Sequence, residues 1–118
     1  MPRMIEYDDM LIRITDEGNL EYSRYNGRSW APLYKGRVGI SGEFYDLIYN
    51  EEDDELIAAT SKGICYSRSG GKVWAVRYSN SRIEFDTLNF SGNELLAQTS
   101  DGLYYSRNAG RTWMKRHR

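Results

Sequence analysis

The sequence predicts an all-β fold of three four-stranded antiparallel units, on three observations. A block recurs with its serines at 23, 67 and 106; its apolar runs have strand length; and Gly18, Gly63 and Gly102 sit at the tips of short connections between such runs. The spacing fits a propeller blade and also a HEAT-like helical repeat, so composition has to decide. The runs are rich in β-branched and aromatic residues and are broken every few positions by Gly, Asn, Asp or Ser, which leaves no room for helices.

Each unit is predicted to hold four strands, A to D. The A candidates are Met4 to Tyr7, Phe44 to Tyr49 and Phe85 to Phe90. The B candidates are Met10 to Thr15, Glu55 to Thr60 and Glu94 to Thr99; Leu56-Ile57-Ala58-Ala59 is apolar at consecutive positions, as a strand covered on both faces requires. A hairpin leads to the C strands, Leu20 to Arg24, Ile64 to Arg68 and Leu103 to Arg107, each ending Tyr-Ser-Arg. The D candidates run from a tryptophan: Trp30 to Tyr34, Trp74 to Tyr78 and Trp113 to His117. Four antiparallel strands make one propeller blade, so one domain of three blades is expected, with approximate bounds 1–36, 37–79 and 80–118.

Bulk composition limits function. Sixteen basic against seventeen acidic residues give a net charge of −1, which removes the long-range positive field of a nucleic-acid binder. No apolar run approaches the ~18 residues that span a bilayer, and no signal-like segment is present, so a soluble chain is expected. The single cysteine, Cys65, cannot form an internal disulfide, which favours a reducing, cytoplasmic setting without excluding export. Ten tyrosines suit both half-buried strands and binding surfaces.

The turn between strands C and D reads Ser-x-x-x-Gly-x-x-Trp in all three units: Ser23, Gly27, Trp30; Ser67, Gly71, Trp74; and Ser106, Gly110, Trp113. This resembles the Asp-box, or BNR, repeat of sialidases and lectin-like β-propellers, whose pattern is Ser-x-Asp-x-Gly-x-Thr-Trp or Phe. The third unit fits best, with Asn108 at the Asp position and Thr112 before the tryptophan; Tyr25 and Ser69 occupy the Asp position in the first and second. The resemblance implies a folding role for these residues at the blade periphery. The serine and Asp-like side chains satisfy backbone amides, glycine takes the left-handed position and tryptophan packs across the turn. Turns lacking the Asp are expected to be looser.

Propeller rings typically take four to eight blades, so three leave apolar end faces, and a homodimer completing a six-bladed ring about a twofold axis is expected. The A–B and C–D connections share one face of such a ring and the B–C and D–A connections the other, which is the face that family sites use. Candidate ligand-binding residues there are Asp16, Glu17, Asn19, Lys62 and Asp101 in B–C turns, with Lys35, Arg37, Asn80, Ser81 and Arg82 in D–A loops. The opposite face gathers Asp8, Asp9 and Glu51 to Asp54, an uninterrupted acidic run without the alternating ligands of a calcium loop; no metal or cofactor is expected. Arg24, Arg68 and Arg107, and Arg28, Lys72 and Arg111, recur in register and read as charge guarding an edge strand.

The expected function is a non-enzymatic binding module recognising a glycan or a protein partner, with a small phage-type or accessory inhibitor as the alternative. A sialidase-like hydrolase needs an arginine cluster, a tyrosine nucleophile with a glutamate and an acid/base aspartate, and spacing assigns none of these. The lone histidine, His117, lies beside the C-terminus.

Overall fold

A computed structural model describes residues 3–117. Twelve strands form three four-stranded antiparallel sheets, with a short 3-10 turn at Gly36–Val38 and no α-helix among the described residues. The first blade holds β1 (Met4–Tyr7), β2 (Met10–Ile14), β3 (Leu20–Ser23) and β4 (Ala31–Tyr34). The second holds β5 (Phe44–Asn50), β6 (Glu55–Thr60), β7 (Gly63–Ser67) and β8 (Ala75–Tyr78), and the third β9 (Phe85–Ser91), β10 (Glu94–Thr99), β11 (Gly102–Ser106) and β12 (Met114–Lys115). Each sheet runs in sequence order, the meander of a propeller blade. Every predicted strand is present; the D strands begin just after the tryptophans, and β12 is cut to two residues.

The sheets stack so that the A strands β1, β5 and β9 lie side by side. Alternation of side chains then sends residues of each central strand into two different interfaces. Met10, Ile12 and Ile14 of the first blade meet Leu47, Leu56, Ala58 and Trp74 of the second. Ile48, Ile57, Ala59 and Ile64 on the other side of the second blade meet Phe85, Leu88, Leu95 and Trp113 of the third. The second blade is the one covered on both faces, and all six residues of β6 are accordingly buried. At about 1.5–3 kcal/mol for each fully buried large apolar side chain, these two layers dominate cohesion.

Asp46 ties the three inner strands together. Its carboxylate is buried, pairs with Arg3 of the first blade and accepts the Leu88 N–H of the third at 2.7 Å and its neighbour Leu47's N–H at 2.9 Å. Burial pushes this carboxyl up, against the backbone hydrogen bonds and Arg3, which pull it down. The molecule measures 44 × 29 × 23 Å, an open arc with two free end faces.

Those end faces depart from the apolar surface that the repeat leads one to expect. The pairing register places Met4, Glu6, Leu11, Arg13 and Glu21 of the first blade where the second has Leu47, Tyr49, Leu56, Ala58 and Cys65. Arg13 bonds Glu21 at 2.8 Å and lies 3.9 Å above the Trp30 ring. At the far end, Asn89 and Gln98 stand where the second blade has Ile48 and Ala59. Leu96 and Leu103 keep the Ile57 and Ile64 positions apolar there, as Met4 and Leu11 do at the first end, so charge and amide groups interrupt each end face and leave it mixed.

Candidate functional site

On the face carrying the A–B and C–D connections, a groove of about 430 Å³ runs between the second and third blades. Its apolar lining comes from Phe90, which is 42% exposed, with Tyr49, Leu95 and Ala109. One bank is the β5–β6 turn with Glu51, Glu52 and Asp53; the other is the β11–β12 turn with Arg107 and Arg111, and Asn93 closes one side. The acidic bank is braced from inside, because the Asn50 amide donates to Asp53 at 3.2 Å and to Glu55 at 3.1 Å. The Tyr49 hydroxyl donates to Asp54 at 2.8 Å, and that bond, with some burial, pushes the phenol up to about 12. On the basic bank Arg107 bonds Glu94 at 3.0 Å and Arg111 bonds the Asn108 carbonyl at 3.1 Å. A neighbouring hollow of about 380 Å³ between the first and second blades is lined by Glu6, Tyr7, Asp8, Tyr49 and Asp54, so Tyr49 borders both. The Tyr7 and Tyr49 rings meet edge to face at 5.1 Å.

The basic bank stands on the third box turn. Ser106 Oγ accepts the N–H of Gly110 at 2.9 Å, Asn108 Oδ1 accepts the N–H of Thr112 at 3.0 Å, and the Asn108 amide donates to Thr112 Oγ1 at 2.9 Å. The Trp113 indole N–H caps the Gly110 carbonyl at 2.8 Å. Two successive residues must be left-handed, Ala109 at φ 62° and Gly110 at φ 92°. The other turns use the same frame: Ser23 and Ser67 accept from Gly27 and Gly71 at 2.9 and 3.0 Å, and Trp30 and Trp74 cap those glycines' carbonyls at 3.1 and 2.7 Å. The looseness expected of two turns is confined to one, because Ser69 Oγ replaces the Asp and accepts the Val73 N–H at 2.8 Å. Tyr25 projects into solvent instead.

Behind the groove lies a buried ion pair that spacing did not reveal. Glu55 and Arg77 are almost wholly buried and meet at 2.6 and 2.8 Å; Arg68 and Asn50 also donate to Glu55, and Arg77 stacks 4.0 Å over Tyr66. Burial pushes the Glu55 carboxyl up, but Arg77, Asn50 and Arg68 outweigh it and bring it down to about 2. Arg77 also donates to the Ala109 carbonyl at 3.0 Å, pinning the third box turn and with it the basic bank. The third blade repeats the arrangement in the open, with Glu94 between Arg107 and Arg116 and with Arg116 4.0 Å over Tyr105. The arginines of the Tyr-Ser-Arg motif thus follow the C strands, where Arg68 and Arg107 hold carboxylates; they do not guard an edge strand. The legible signal was a recurrence not used: Glu at the start of strand B, and Arg three residues past the tryptophan, in units two and three.

The residues proposed on the opposite face do not converge. Asp16 and Glu17 are exposed and border a hollow of about 580 Å³ on the outer face of the first blade. Asn19 accepts the Arg37 N–H at 3.1 Å, which joins those two loops, while Lys35 precedes the 3-10 turn and Lys62 is exposed. Asn80 closes its own loop by accepting the Arg82 N–H at 2.9 Å, with Ser81 exposed between them. Asp101 is engaged by Tyr104 at 2.8 Å and Lys115 at 3.2 Å, which draw its carboxyl below the usual range. Apart from Asp16 and Glu17, none of these ten lines the groove, the hollow beside Tyr49 or the three other well-formed hollows of the described residues. Among the described residues, no group of three or more His, Cys, Asp or Glu side chains is placed to hold a metal ion, and no helix is long and apolar enough to cross a membrane.

Comparison with solved structures defines the fold as propeller-like. An ancestral GH74 enzyme superposes with a TM-score of 0.71 at 15% identity, over 95% of this chain and 17% of that one. Two structures of the extracellular domain of BT4673 from B. thetaiotaomicron, one described as a hybrid two-component and the other as a one-component system, give 0.68 at 13% identity, over 98% of this chain and 16% of that one, and 0.52 at 17%, over 97% and 22%. The chain spans less than a quarter of each of these proteins, and at such identities the likeness is one of fold alone. No family model matches the sequence, and no curated protein does.

Proposed function

We propose that the chain is a non-enzymatic binding module of degenerate Asp-box blades, and that its ligand lies in the groove between the second and third blades. The observation that carries this reading is the groove's composition: an exposed Phe90, Tyr49 at the border, the amide of Asn93, and opposed acidic and basic banks, on turns braced from behind. Aromatic faces and planar polar groups suit the apolar and hydroxyl faces of a sugar, so a glycan is the first ligand class. The second reading is a protein partner, favoured by the split between Glu51 to Asp53 and Arg107 with Arg111.

The carboxyl groups support binding over hydrolysis. Glycosidic cleavage uses two carboxyls, one held protonated by a raised pKa. Of the carboxyls with displaced pKa values, Glu55, Glu94 and Asp101 are shifted down. Asp46 is shifted up but is buried and occupied by two backbone N–H groups and Arg3. A glycan array probed with the full chain and with Phe90→Ala tests the reading: specific binding that F90A abolishes is expected. Binding untouched by F90A and by Arg111→Ala moves the site off the groove.

A further inference from the structure

The two blade junctions solve one packing problem in two ways. At the first, Leu33 of β4 presses on the box turn of the second blade, where a Cβ on Gly71 would stand 2.9 Å from Leu33 Cδ2, and Met10 lies buried behind it. At the second, the same repeat positions hold Arg77 and Glu55, and Arg77 gives one N–H to the next blade's box turn at the Ala109 carbonyl. The free end of the third blade carries the second solution complete. Arg116 donates to Glu94 at 2.6 Å through Nη2, Arg107 holds the other carboxylate oxygen, and Tyr105 supports the guanidinium, with no box turn among the described residues set against it.

At the other end of the arc a matching turn is on display. Asn26 and Gly27 have φ of 56° and 85°, against 62° and 92° at Ala109 and Gly110, and their hydrogen bonds to Ser23 and Trp30 keep the same frame. The Asn26 carbonyl is therefore presented as the Ala109 carbonyl is. Asn26 and Ser23 border an open hollow of about 480 Å³ on the free side of the first blade. We infer that Arg116, set by Glu94 and Tyr105, docks onto the Asn26 turn of a second copy of this chain, so that the junction between the second and third blades is continued between copies. The occupant is a second copy because the two ends carry the two halves of a contact already made inside the chain. Asn89 and Gln98 lie among Leu96 and Leu103 on one end, and Arg13 and Glu21 among Met4 and Leu11 on the other, so the junction is more polar than the interior layers and forms reversibly.

Sedimentation velocity of the full chain over a wide concentration range tests this. The wild type is expected to move from 13.7 kDa to multiples of that mass as concentration rises, since a contact between unlike ends continues from copy to copy. Arg116→Gln, on a partly exposed side chain, is expected to raise the dissociation constant by about tenfold, as losing a hydrogen bond from a charged donor does. Lys72→Gln, on the exposed box turn of the second blade, leaves it unchanged. Amide exchange supplies a readout without a variant: protection of residues 24–28 rises with concentration while that of 69–72 does not. A wild type that stays monomeric, an R116Q chain that associates like wild type, or exchange at 24–28 independent of concentration each overturns the assignment.

Discussion

Replacing Glu55 by Gln removes a charge while keeping the side chain's shape, and its cost can be worked from the structure. Arg77 is 4% exposed by its side chain and loses its counter-ion, although it keeps the Ala109 carbonyl and the Tyr66 ring. Breaking a buried pair from one side costs about 3–5 kcal/mol. The carboxyl itself gives a second figure, since its displacement from 4.5 to about 2 corresponds to roughly 3 kcal/mol lost when the group is neutralised. For a domain of this size the thermal midpoint should fall by roughly 10–20 °C. Because the folded pKa is depressed, Glu55 contributes its full stability above the unfolded value and loses it as pH falls from 4.5 towards 2. Denaturant unfolding across that range should show wild type and E55Q far apart at neutral pH and converging at the acid end. Asp46 is common to both and cancels in the difference. Two companions sharpen the assay: Glu94→Gln, at the same repeat position but in the open, should move the midpoint little, and the double change Glu55→Met with Arg77→Leu, which copies Met10 and Leu33 of the first blade, should be neutral to within about 1 kcal/mol or stabilising. An E55Q penalty below about 1 kcal/mol, or parallel pH curves, refutes the reasoning.

Three further changes probe other parts of the fold by urea unfolding. Ala109→Gly should stabilise by about 1 kcal/mol, because a left-handed alanine at φ 62° is relieved. Tyr25→Asp should add about 0.5–1 kcal/mol by giving the first box turn the acceptor for the Ser29 N–H that Asn108 supplies for Thr112 in the third. Asp46→Asn should cost about 1–3 kcal/mol, since the amide cannot accept from Leu88 and Leu47 and also pair with Arg3.

The strands were legible because each property that marks them is local: alternation, β-branched residues, and a turn glycine such as Gly63, where a Cβ would stand 2.2 Å from the Tyr78 carbonyl oxygen. The box turns were legible for the same reason, since serine, glycine and tryptophan act within eight residues of one another. What sequence reasoning missed is what depends on stacking one blade on the next. Glu55 reads as the first residue of a B strand, next to an acidic run, until Arg77, 22 residues on, is seen to close over it. Asp46 reads as a polar interruption of an apolar strand until Arg3 and Leu88 arrive from the blades on either side. The groove escaped notice for the same reason: loops 16–19, 35–43 and 78–84 differ most among the units, but the groove forms where the A–B turn of the second blade faces the C–D box turn of the third across a blade junction.

The most direct test of the groove is an NMR titration of the isotope-labelled chain with its best glycan from the array. The account predicts shift changes that centre on Tyr49, Phe90, Asn93, Arg107 and Arg111 and fade in F90A. Changes confined to residues 16–19, 35–43 and 78–84, on the opposite face, would contradict it.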